Sequence, residues 1–317
     1  DVYSCFYDPE RRRWIRWQDE VPAYEPPVPF EFAKVVVPTS DTVMYTDLLA
    51  KQMHIGHSVL FVGETGTAKT TIMDTYLAMR HQQGVKVLSM NFSSRTMGRD
   101  VYENVAENVE KRTGHTYGPT GGKDMLVFVD DLNMPRVDKY GTQQPIALLL
   151  FLLSTGNMFD RGKELELRHY KDMYFLAAMG PPGGGRNPID PRFASMFDVY
   201  HLTPPSEEVL ALIFTSILSA HLREFPTEVS DLTERLTRAT LRLYALLLER
   251  LPATPSKFHY IFNLRDLSRV FEGLCLATPD HFPDAAAVVR LWRNECTRVF
   301  CDRLVDEADH ELVTREL

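Results

Sequence analysis

The chain has 317 residues, which is enough for two domains with substantial cores. Its hydrophobic content of 44% and charged content of 25% are those of an ordinary soluble globular protein. The formal net charge of −8 argues against a nucleic-acid partner, because such binding needs a basic stripe. We expect no membrane partner, since no apolar run is long enough to span a bilayer. The chain begins at Asp1 with neither a methionine nor a signal peptide, so we expect it to be an excerpt from something longer.

The cysteines and histidines show no metal-binding pattern. The spacing of the four cysteines fits reduced thiols in a cytosolic protein: Cys5, Cys275, Cys296 and Cys301. His54 and His57 have no nearby carboxylate ligand, and we interpret them as helix-end and loop residues.

The first 30 residues predict a β-hairpin and a connector. The hairpin turns at Asp8-Pro9-Glu10, and we expect the aromatic residues on either side to be packing residues. A proline-rich connector runs from Pro22 to Pro29. Beyond it, Val35–Val37 predicts a short strand, and the helix that follows is capped by Ser40 or Asp41.

A glycine-rich turn then joins the predicted strand Val59–Val62 to a predicted helix. Strand, glycine turn, Lys-Thr and helix is the order of a phosphate-binding loop. The glycines let backbone N–H groups approach phosphate oxygens. Lys69 reaches the β- and γ-phosphates, and the Thr70 hydroxyl can ligate Mg²⁺. The predicted nucleotide-binding residues of the turn are Gly63, Glu64, Thr65, Gly66, Thr67, Ala68, Lys69, Thr70 and Thr71.

Strands alternate with helices up to the boundary at Pro204-Pro205, which predicts a parallel sheet covered on both faces. After the loop we expect a helix that stops at Gly84 and buries four residues on one face: Ile72, Met73, Tyr76 and Leu77. A strand Val85–Phe92 follows, then a helix with Val101, Val105 and Val109, and then a glycine-rich excursion Thr113–Gly122. The remaining predicted elements are a strand Met125–Val129, a helix Ile146–Leu153, a hairpin from Met158 whose second strand is Glu164–Tyr170, and a strand Met173–Ala178. Only helices follow, and we expect one capped by Ser206, one over Thr227–Leu251, one over Leu264–Leu274 and one over Val288–Val299.

An acidic pair provides the carboxylates that the glycine turn itself does not supply. The apolar strand that starts at Met125 ends in Asp130 and Asp131. Beside a phosphate loop, the first carboxylate can hold the Mg²⁺ water shell and the second can orient the attacking water. Two acidic residues after a strand also occur as plain loop solvation, but the upstream glycine loop favours the functional interpretation.

Six short segments together form a more specific signature: Val37–Thr42, Gly63–Thr70, Phe128–Pro135, Tyr140–Pro145, Gly180–Asn187 and Phe258–Arg269. In this order they resemble dynein heavy chains, and more narrowly the third AAA+ module of an axonemal-type heavy chain. The similarity runs from about Val2 to the end of the chain. The segments Gly141–Pro145 and Phe262–Ser268 are far more specific than the phosphate loop alone.

The resemblance implies an α/β fold class, namely an AAA+ P-loop NTPase large domain with a parallel sheet and helices on both faces, followed by a small all-helical lid domain. It implies a hairpin and connector over residues 1–30, the large nucleotide-binding domain over 31–204 and the lid over 205–317. The hairpins at Thr113–Gly122 and Met158–Tyr170 match two AAA+ inserts. The module would be one sector of a six-module ring within a single chain, the parent protein being a motor ATPase.

The resemblance also implies roles for site residues. The backbone around Val37, Pro38 and Thr39 would wall the adenine. Lys69 and Thr70 match the Walker A pair, and Asp130 and Asp131 match the Walker B pair, with Mg²⁺ at Thr70 and Asp130. No guanine-reading Asn-Lys-x-Asp motif is present.

Two arginines complete the implied site. Arg265, on a lid helix, matches the sensor-2 arginine that reaches the γ-phosphate of its own site. Arg192 matches the arginine finger, which acts in trans on the nucleotide of the neighbouring module. From the residues alone, Arg265 could instead pair with Asp266 or a surface acid, and Arg192 could cap a helix.

Three positions depart from the family pattern, and all point to retained binding with slowed hydrolysis. Ala68 replaces a glycine, and its methyl group is tolerable if φ is negative there. Asp131 stands where an efficient AAA+ ATPase has a glutamate. Gly180 stands where a sensor-1 asparagine is often found, and Asn187 lies seven residues further on.

The leading interpretation is a regulatory module that binds Mg²⁺ with ATP or ADP, hydrolyses ATP slowly, and signals to a motor site elsewhere in the chain. Its expected partners are the neighbouring AAA+ modules, with microtubules and other dynein subunits met only through the rest of the heavy chain. The expected location is cytoplasmic and cytoskeletal, in the ciliary or flagellar axoneme. One alternative is a structural ring sector with permanently bound or no nucleotide. A self-sufficient AAA+ enzyme such as a clamp loader or unfoldase has less support.

Overall fold

The computed structural model describes residues 2–27, 30–32, 35–162 and 165–317. The end of the predicted connector, Pro29, and the start of the second hairpin strand, Glu164, lie outside these residues. The chain forms two compact units. One is the α/β unit Asp41–Pro204, and the other is a helical unit that combines Asp1–Ser40 with Pro205–Leu317.

The predicted N-terminal hairpin is confirmed. β1 (Cys5–Asp8) pairs antiparallel with β2 (Arg13–Arg16). Trp17 is buried, but Tyr7 and Trp14, which lie opposite each other on the hairpin, are 49% and 67% exposed. Their rings pack against each other edge to face, with centroids 5.7 Å apart. This packing is on the exposed face of the hairpin and not in a core, because side chains alternate between the two faces of a strand.

The segment before Asp41 groups with the helical unit, whereas the predicted boundary puts residues 31–40 in the large domain. Val37 is 7% exposed and lies in the core of the helical unit. The strand predicted over Val35–Val37 is wrong, since residues 35–39 have no strand structure. Apolar side chains in an extended segment can be buried against helices without a strand ladder.

The α/β unit begins with the helix α1 (Ser40–His54), whose first residue is grouped with the helical unit. Its elements are β3 (Val59–Gly63), α2 (Lys69–Gln82), β4 (Lys86–Asn91), α3 (Gly98–Glu107), β5 (Val109–Lys111), β6 (Thr116–Pro119), β7 (Met125–Asp130), α4 (Gln144–Thr155), β8 (Asn157–Phe159), β9 (Leu167–Tyr170), β10 (Met173–Met179), α5 (Pro191–Ala194) and β11 (Asp198–Leu202).

Five of these strands form a parallel sheet in the order β11-β3-β10-β7-β4. Helices cover both faces, as predicted. Phe61 packs with Met73 of α2 in the core on one face, and Leu60 packs with Val105 of α3 in the core on the other. Parallel strands end at the same edge of a sheet, and β10 lies between β3 and β7. The segments that follow these three strands therefore emerge side by side.

A second sheet has the order β5-β6-β9-β8. β8 pairs antiparallel with β9, within the hairpin predicted over Met158–Tyr170, and β5 pairs antiparallel with β6. The first hairpin begins earlier than the predicted Thr113–Gly122, because β5 precedes Thr113. Val109 lies in β5, so the prediction that it belongs to the preceding helix is wrong. The four-residue spacing of valines continues past Glu107, where α3 ends, and so hides the helix end.

The helical unit contains α6 (Glu207–His221), α7 (Thr227–Ser230), α8 (Thr233–Arg250), α9 (Leu264–Leu274), α10 (Ala285–Cys296) and α11 (Glu307–Glu316). Ser206 caps α6, as predicted, and its hydroxyl accepts from the Val209 N–H at 3.4 Å. The single helix predicted over Thr227–Leu251 is wrong, because α7 and α8 are separate. At the break, the Thr233 hydroxyl donates to the Ser230 carbonyl at 2.7 Å.

Two buried polar side chains of the helical unit, Asp266 and Trp292, have side-chain hydrogen-bond partners. Asp266, 3% exposed, accepts hydrogen bonds from Arg303 at 2.7 Å and from Arg269 at 3.3 Å. The Trp292 indole N–H donates to the Thr240 hydroxyl at 2.8 Å. Within the described ranges, no helix is both long enough and apolar enough to cross a bilayer.

Candidate nucleotide-binding site

The phosphate loop begins where β3 ends at Gly63 and finishes where α2 begins at Lys69. A Cβ on Gly63 would lie 2.6 Å from the Leu202 carbonyl oxygen and 2.8 Å from Thr67 Oγ1, so no side chain fits. Gly66 has φ of +94°, which side chains rarely adopt. The loop geometry therefore requires both glycines of the predicted motif.

Ala68 has φ of +60° and ψ of +14°, so the condition under which its methyl group is easily tolerated, a negative φ, is not met. Its carbonyl accepts from the Ile72 N–H at 2.9 Å and thereby starts α2. A left-handed conformation costs a non-glycine residue about 1–2 kcal/mol, because Cβ crowds the following carbonyl. The loop is therefore strained at the position where the usual pattern has glycine.

The Lys69 ammonium group lies inside the turn. Its Nζ donates to the carbonyl oxygens of Gly63 at 2.8 Å and Glu64 at 2.6 Å, and to Thr67 Oγ1 at 3.1 Å. The Thr67 hydroxyl in turn donates to the Glu64 carbonyl at 2.9 Å, which closes the turn. A cation held among the turn's own oxygens and beside a helix N-terminus suits a bound polyphosphate.

The structure brings the two predicted Mg²⁺ ligands together. The Thr70 hydroxyl donates to Asp130 Oδ2 at 2.9 Å, and the Asp131 backbone N–H donates to Asp130 Oδ1 at 2.9 Å. Hydroxyl and carboxylate oxygens are what Mg²⁺ prefers. Within the described ranges, no three His, Cys, Asp or Glu side chains form a metal-binding group. Thr70 and Asp130 are the residues that would hold a Mg²⁺ ion here.

Asp74 adds a further carboxylate near this pair. It follows Thr70 by one turn of α2. Burial, together with the negative charge of Asp130, raises the pKa of Asp74. Burial is the larger of these two causes, and the second shows that Asp74 lies within electrostatic range of Asp130.

Asp131 has φ of +51°, a left-handed conformation that aspartate tolerates better than most residues. Its carbonyl accepts from the Met134 N–H at 3.0 Å. The segment after β7 therefore turns sharply at the second carboxylate of the acidic pair.

Gly180 and Asn187, the ends of the glycine-rich loop, are both bonded to the segment after this turn. The buried side chain of Asn133 donates to the Gly180 carbonyl at 2.8 Å. Asn187 donates from its backbone to the Asn133 carbonyl at 3.0 Å and from its side chain to the Pro135 carbonyl at 2.9 Å. The sequence does not single out Asn133, although an asparagine two residues after an acidic pair at a strand end is a signal for such a role.

The remaining predicted residues lie elsewhere in the two units. Arg192 is on α5 of the α/β unit, where its side chain is 82% exposed and its guanidinium pairs with Asp190 at 2.9 Å. Asp190, and not Arg192, provides the helix cap, since its side chain accepts from the Arg192 N–H. The predicted adenine-wall residues and sensor-2 arginine belong to the helical unit: Val37, Pro38, Thr39 and Arg265.

Arg265 is exposed in the first turn of α9, where its backbone N–H donates to the capping Asn263 side chain at 2.8 Å. Asp266 pairs with Arg303 and Arg269. In the part of the chain that the structure describes, Arg265 makes no ion pair with Asp266.

A strand that leads through a glycine turn into a helix, with a carboxylate strand end bonded to the helix's first turn, defines a P-loop nucleotide-binding domain. Comparison with known families gives the same class. A family described as "P-loop containing dynein motor region" matches residues 24–205, and the AAA+ lid domain matches residues 236–316. The chain belongs to the family of P-loop containing dynein motor regions.

Three relatives show the extent of the similarity. The chain is 50% identical over 316 residues to dynein axonemal heavy chain 10 of Homo sapiens. It is 50% identical over 318 residues to the dynein-1-alpha heavy chain, flagellar inner arm I1 complex, of Chlamydomonas reinhardtii. It is 41% identical over 313 residues to dynein axonemal heavy chain 2 of Mus musculus. These matches cover 98–100% of this chain, which spans only 7% of the length of each relative.

Proposed function

We propose that this chain is a nucleotide-binding module of a dynein motor ring that holds Mg²⁺ with ATP or ADP at the loop of Lys69. The observation that carries the proposal is the 2.9 Å hydrogen bond between Thr70 and Asp130, residues 60 positions apart in sequence. Two oxygen ligands for Mg²⁺ thus meet at the end of the phosphate loop. Lys69 supplies positive charge for the β- and γ-phosphates at the same place.

The module is proposed to be the third of the ring in an axonemal-type heavy chain. The order of the six motifs supports this placement, as do relatives whose names are axonemal or flagellar heavy chains. Its partners are then the neighbouring modules of the same chain, with microtubules and other dynein subunits reached through the rest of it. The location is the ciliary or flagellar axoneme.

Adenine recognition and two arginine roles complete the proposal. Val37, Pro38 and Thr39 wall the adenine, Arg265 contacts the γ-phosphate of the same module, and Arg192 serves the neighbouring module. The resemblance of the motifs supports the first two roles. The exposure of the Arg192 side chain supports the third, because an arginine that acts in trans must be accessible.

The module is proposed to be regulatory, with slow hydrolysis. Asp131 is one methylene shorter than the glutamate of efficient AAA+ ATPases, and the loop carries strain at Ala68. Its nucleotide state then acts on a motor site elsewhere in the heavy chain. A structural ring sector with permanently bound or no nucleotide is the second candidate, and the same strained loop favours it. Nucleotide exchange separates the two, because a regulatory module must exchange its nucleotide within the motor's working time.

The test is titration of the 317-residue protein with ATP and GTP in the presence of Mg²⁺. We expect tighter binding of ATP and a loss of most ATP affinity in Lys69→Ala, because the phosphate charge is then unpaired in a partly desolvated loop. Lys51→Ala, which removes an exposed lysine from α1, is the matched control. Equal affinity for ATP and GTP, or an unchanged affinity in Lys69→Ala, contradicts the proposal.

A further inference from the structure

The Arg186 side chain packs directly against the backbone of Gly180. A Cβ atom on Gly180 would lie 2.5 Å from Nε and 2.7 Å from Cζ of Arg186. Contacts this short do not occur in folded proteins, so a glycine at position 180 is a condition for the observed arginine conformation. The absence of a side chain where β10 ends therefore makes room for a guanidinium group.

This guanidinium reaches the phosphate loop. Arg186 Nη2 donates to Thr65 Oγ1 at 3.4 Å. Thr65 directly follows Glu64, whose carbonyl oxygen lies 2.6 Å from Lys69 Nζ. The two cationic side chains therefore converge on the same part of the turn, one from α2 and the other from the loop after β10.

Arg186 also has unused hydrogen-bonding capacity. Within the described part of the chain its Nε is buried and has no hydrogen-bond partner. A buried N–H that stays unpaired is costly, and a guanidinium offers five N–H donors in a planar fork that matches phosphate oxygens. Because β10 lies between β3 and β7, its following loop emerges between the phosphate loop and Asp130.

The backbone that carries Arg186 is held in place. Gly183 and Arg186 exchange two backbone hydrogen bonds of 3.0 Å, and Asn187 is bonded to Asn133. Asn133 also holds Gly180, so both ends of the loop are fixed to the segment that carries Asp131. The loop that carries Arg186 is thus anchored beside the acidic strand end.

We propose that Arg186 donates hydrogen bonds to the terminal phosphate of ATP bound at the Lys69 loop and thereby makes this site distinguish ATP from ADP. The inference rests on the proposed function and adds to it a residue that reads the nucleotide state. Loss of the γ-phosphate removes the partner of Arg186 and leaves the α- and β-phosphates with Lys69 and the loop N–H groups.

The test compares the dissociation constants of Mg-ATP and Mg-ADP for the 317-residue protein and four variants. In Arg186→Ala we expect ATP binding to weaken about tenfold or more, the size of a hydrogen bond to a charged group, and ADP binding to change less than about twofold. Arg186→Lys should recover part of the ATP preference, since it keeps the charge but loses the fork. Gly180→Ala should mimic Arg186→Ala by displacing the arginine. Arg99→Ala removes an exposed arginine of α3 as the matched control.

Equal weakening of ATP and ADP binding in Arg186→Ala overturns the inference and assigns Arg186 a structural role. Unchanged binding of both nucleotides overturns it as well. The proposed function survives either result if Lys69→Ala still abolishes binding. A parent protein that binds neither nucleotide overturns both proposals together.

Discussion

The Thr70 hydroxyl donates a 2.9 Å hydrogen bond to Asp130 Oδ2, which joins the first turn of α2 to the end of β7. The other oxygen of the same carboxylate accepts from the backbone N–H of Asp131. The orientation of Asp130 is therefore fixed by a side chain on one side and by the chain's next peptide on the other. The backbone of Asp131 is held at φ of +51°, so the position of the second carboxylate is restricted as well.

Lengthening that second carboxylate should accelerate hydrolysis. The Asp131 carboxylate is roughly 1 Å short of the position a glutamate reaches, and a misplacement of that size can cost on the order of 100-fold. We expect Asp131→Glu to raise the ATP turnover rate at saturating ATP by at least about tenfold. The measurement needs a heavy chain with a complete ring, and Asp131→Asn, which keeps the length, should show no increase. A turnover rate that stays flat in Asp131→Glu means that side-chain length does not limit the reaction.

Replacing Ala68 with glycine should stabilise the α/β unit. Relief of the left-handed strain gains about 1–2 kcal/mol, and the added backbone entropy of glycine in the unfolded chain offsets about 0.5–1 kcal/mol of it. We expect a net increase of about 0.5–1 kcal/mol in the free energy of unfolding by urea. Ala78→Gly, on the exposed face of α2, should instead lower it by about 1 kcal/mol. Equal destabilisation by both substitutions would show that Ala68 is not strained.

The two arginines proposed for the γ-phosphate should respond differently in nucleotide titrations of the 317-residue protein. Arg192 serves a neighbouring module, so Arg192→Ala should leave ATP affinity unchanged. Arg265→Ala should weaken ATP binding, because its proposed partner is the nucleotide of its own module. If Arg192→Ala loses as much affinity as Arg265→Ala, the finger acts within its own module and its proposed role in trans is wrong.

The ion pairs of Asp266 should stabilise the helical unit. Asp266→Asn keeps the shape but leaves Arg303, whose side chain is 25% exposed, without its closest carboxylate. Removing one partner of a buried ion pair is strongly destabilising, and we expect about 3 kcal/mol in the free energy of unfolding. Glu234→Gln breaks the exposed pair with Arg238 and should cost less than about 1 kcal/mol. Similar losses from the two variants would contradict this assignment.

His221 should make the helical unit less stable in acid. Burial lowers its pKa from the usual value of about 6.5, although the hydrogen bond to the Ala277 carbonyl opposes the shift. The unfolded chain therefore takes up a proton before the folded one does. The stabilisation is fully present above the unfolded pKa and is lost as the pH falls through the folded pKa.

The measurement for His221 is the free energy of unfolding between pH 7 and pH 5. His221→Gln should have a flatter profile than the parent protein, while His54→Gln, a change at an exposed position of α1, should keep the parent's slope. A profile for His221→Gln that parallels the parent's would assign the acid sensitivity to other groups.

The sequence predicts the sheet and the phosphate loop well because their signals are local. Glycines, lysine and threonine follow a buried strand directly, and Asp130 ends another. The conformation of Ala68 could not be predicted, because the choice of φ depends on how the loop closes over Thr67 and Leu202. The contact between Arg186 and Gly180 is not predicted for a similar reason, since the five residues between them must form a turn before the two can touch.

The errors in the helical unit also have physical causes. No glycine or proline marks the break between Ser230 and Thr233, where a side-chain hydroxyl competes for the helix carbonyl. Val37 has the composition of a strand residue, but its burial depends on helices that lie more than 160 positions further along the chain. Long-range packing of this kind overrides local propensity.

Because residues before Asp41 belong to the helical unit, the two units cannot fold in the same order as they are synthesised. The α/β unit is one continuous stretch, so it can close as soon as Pro204 has left the ribosome. The helical unit needs both Val37 and the helices up to α11. During synthesis the apolar side chains of its N-terminal segment therefore stay exposed until the last helices have been synthesised. Such a delay is the period when a chain is most prone to aggregation and most dependent on chaperones.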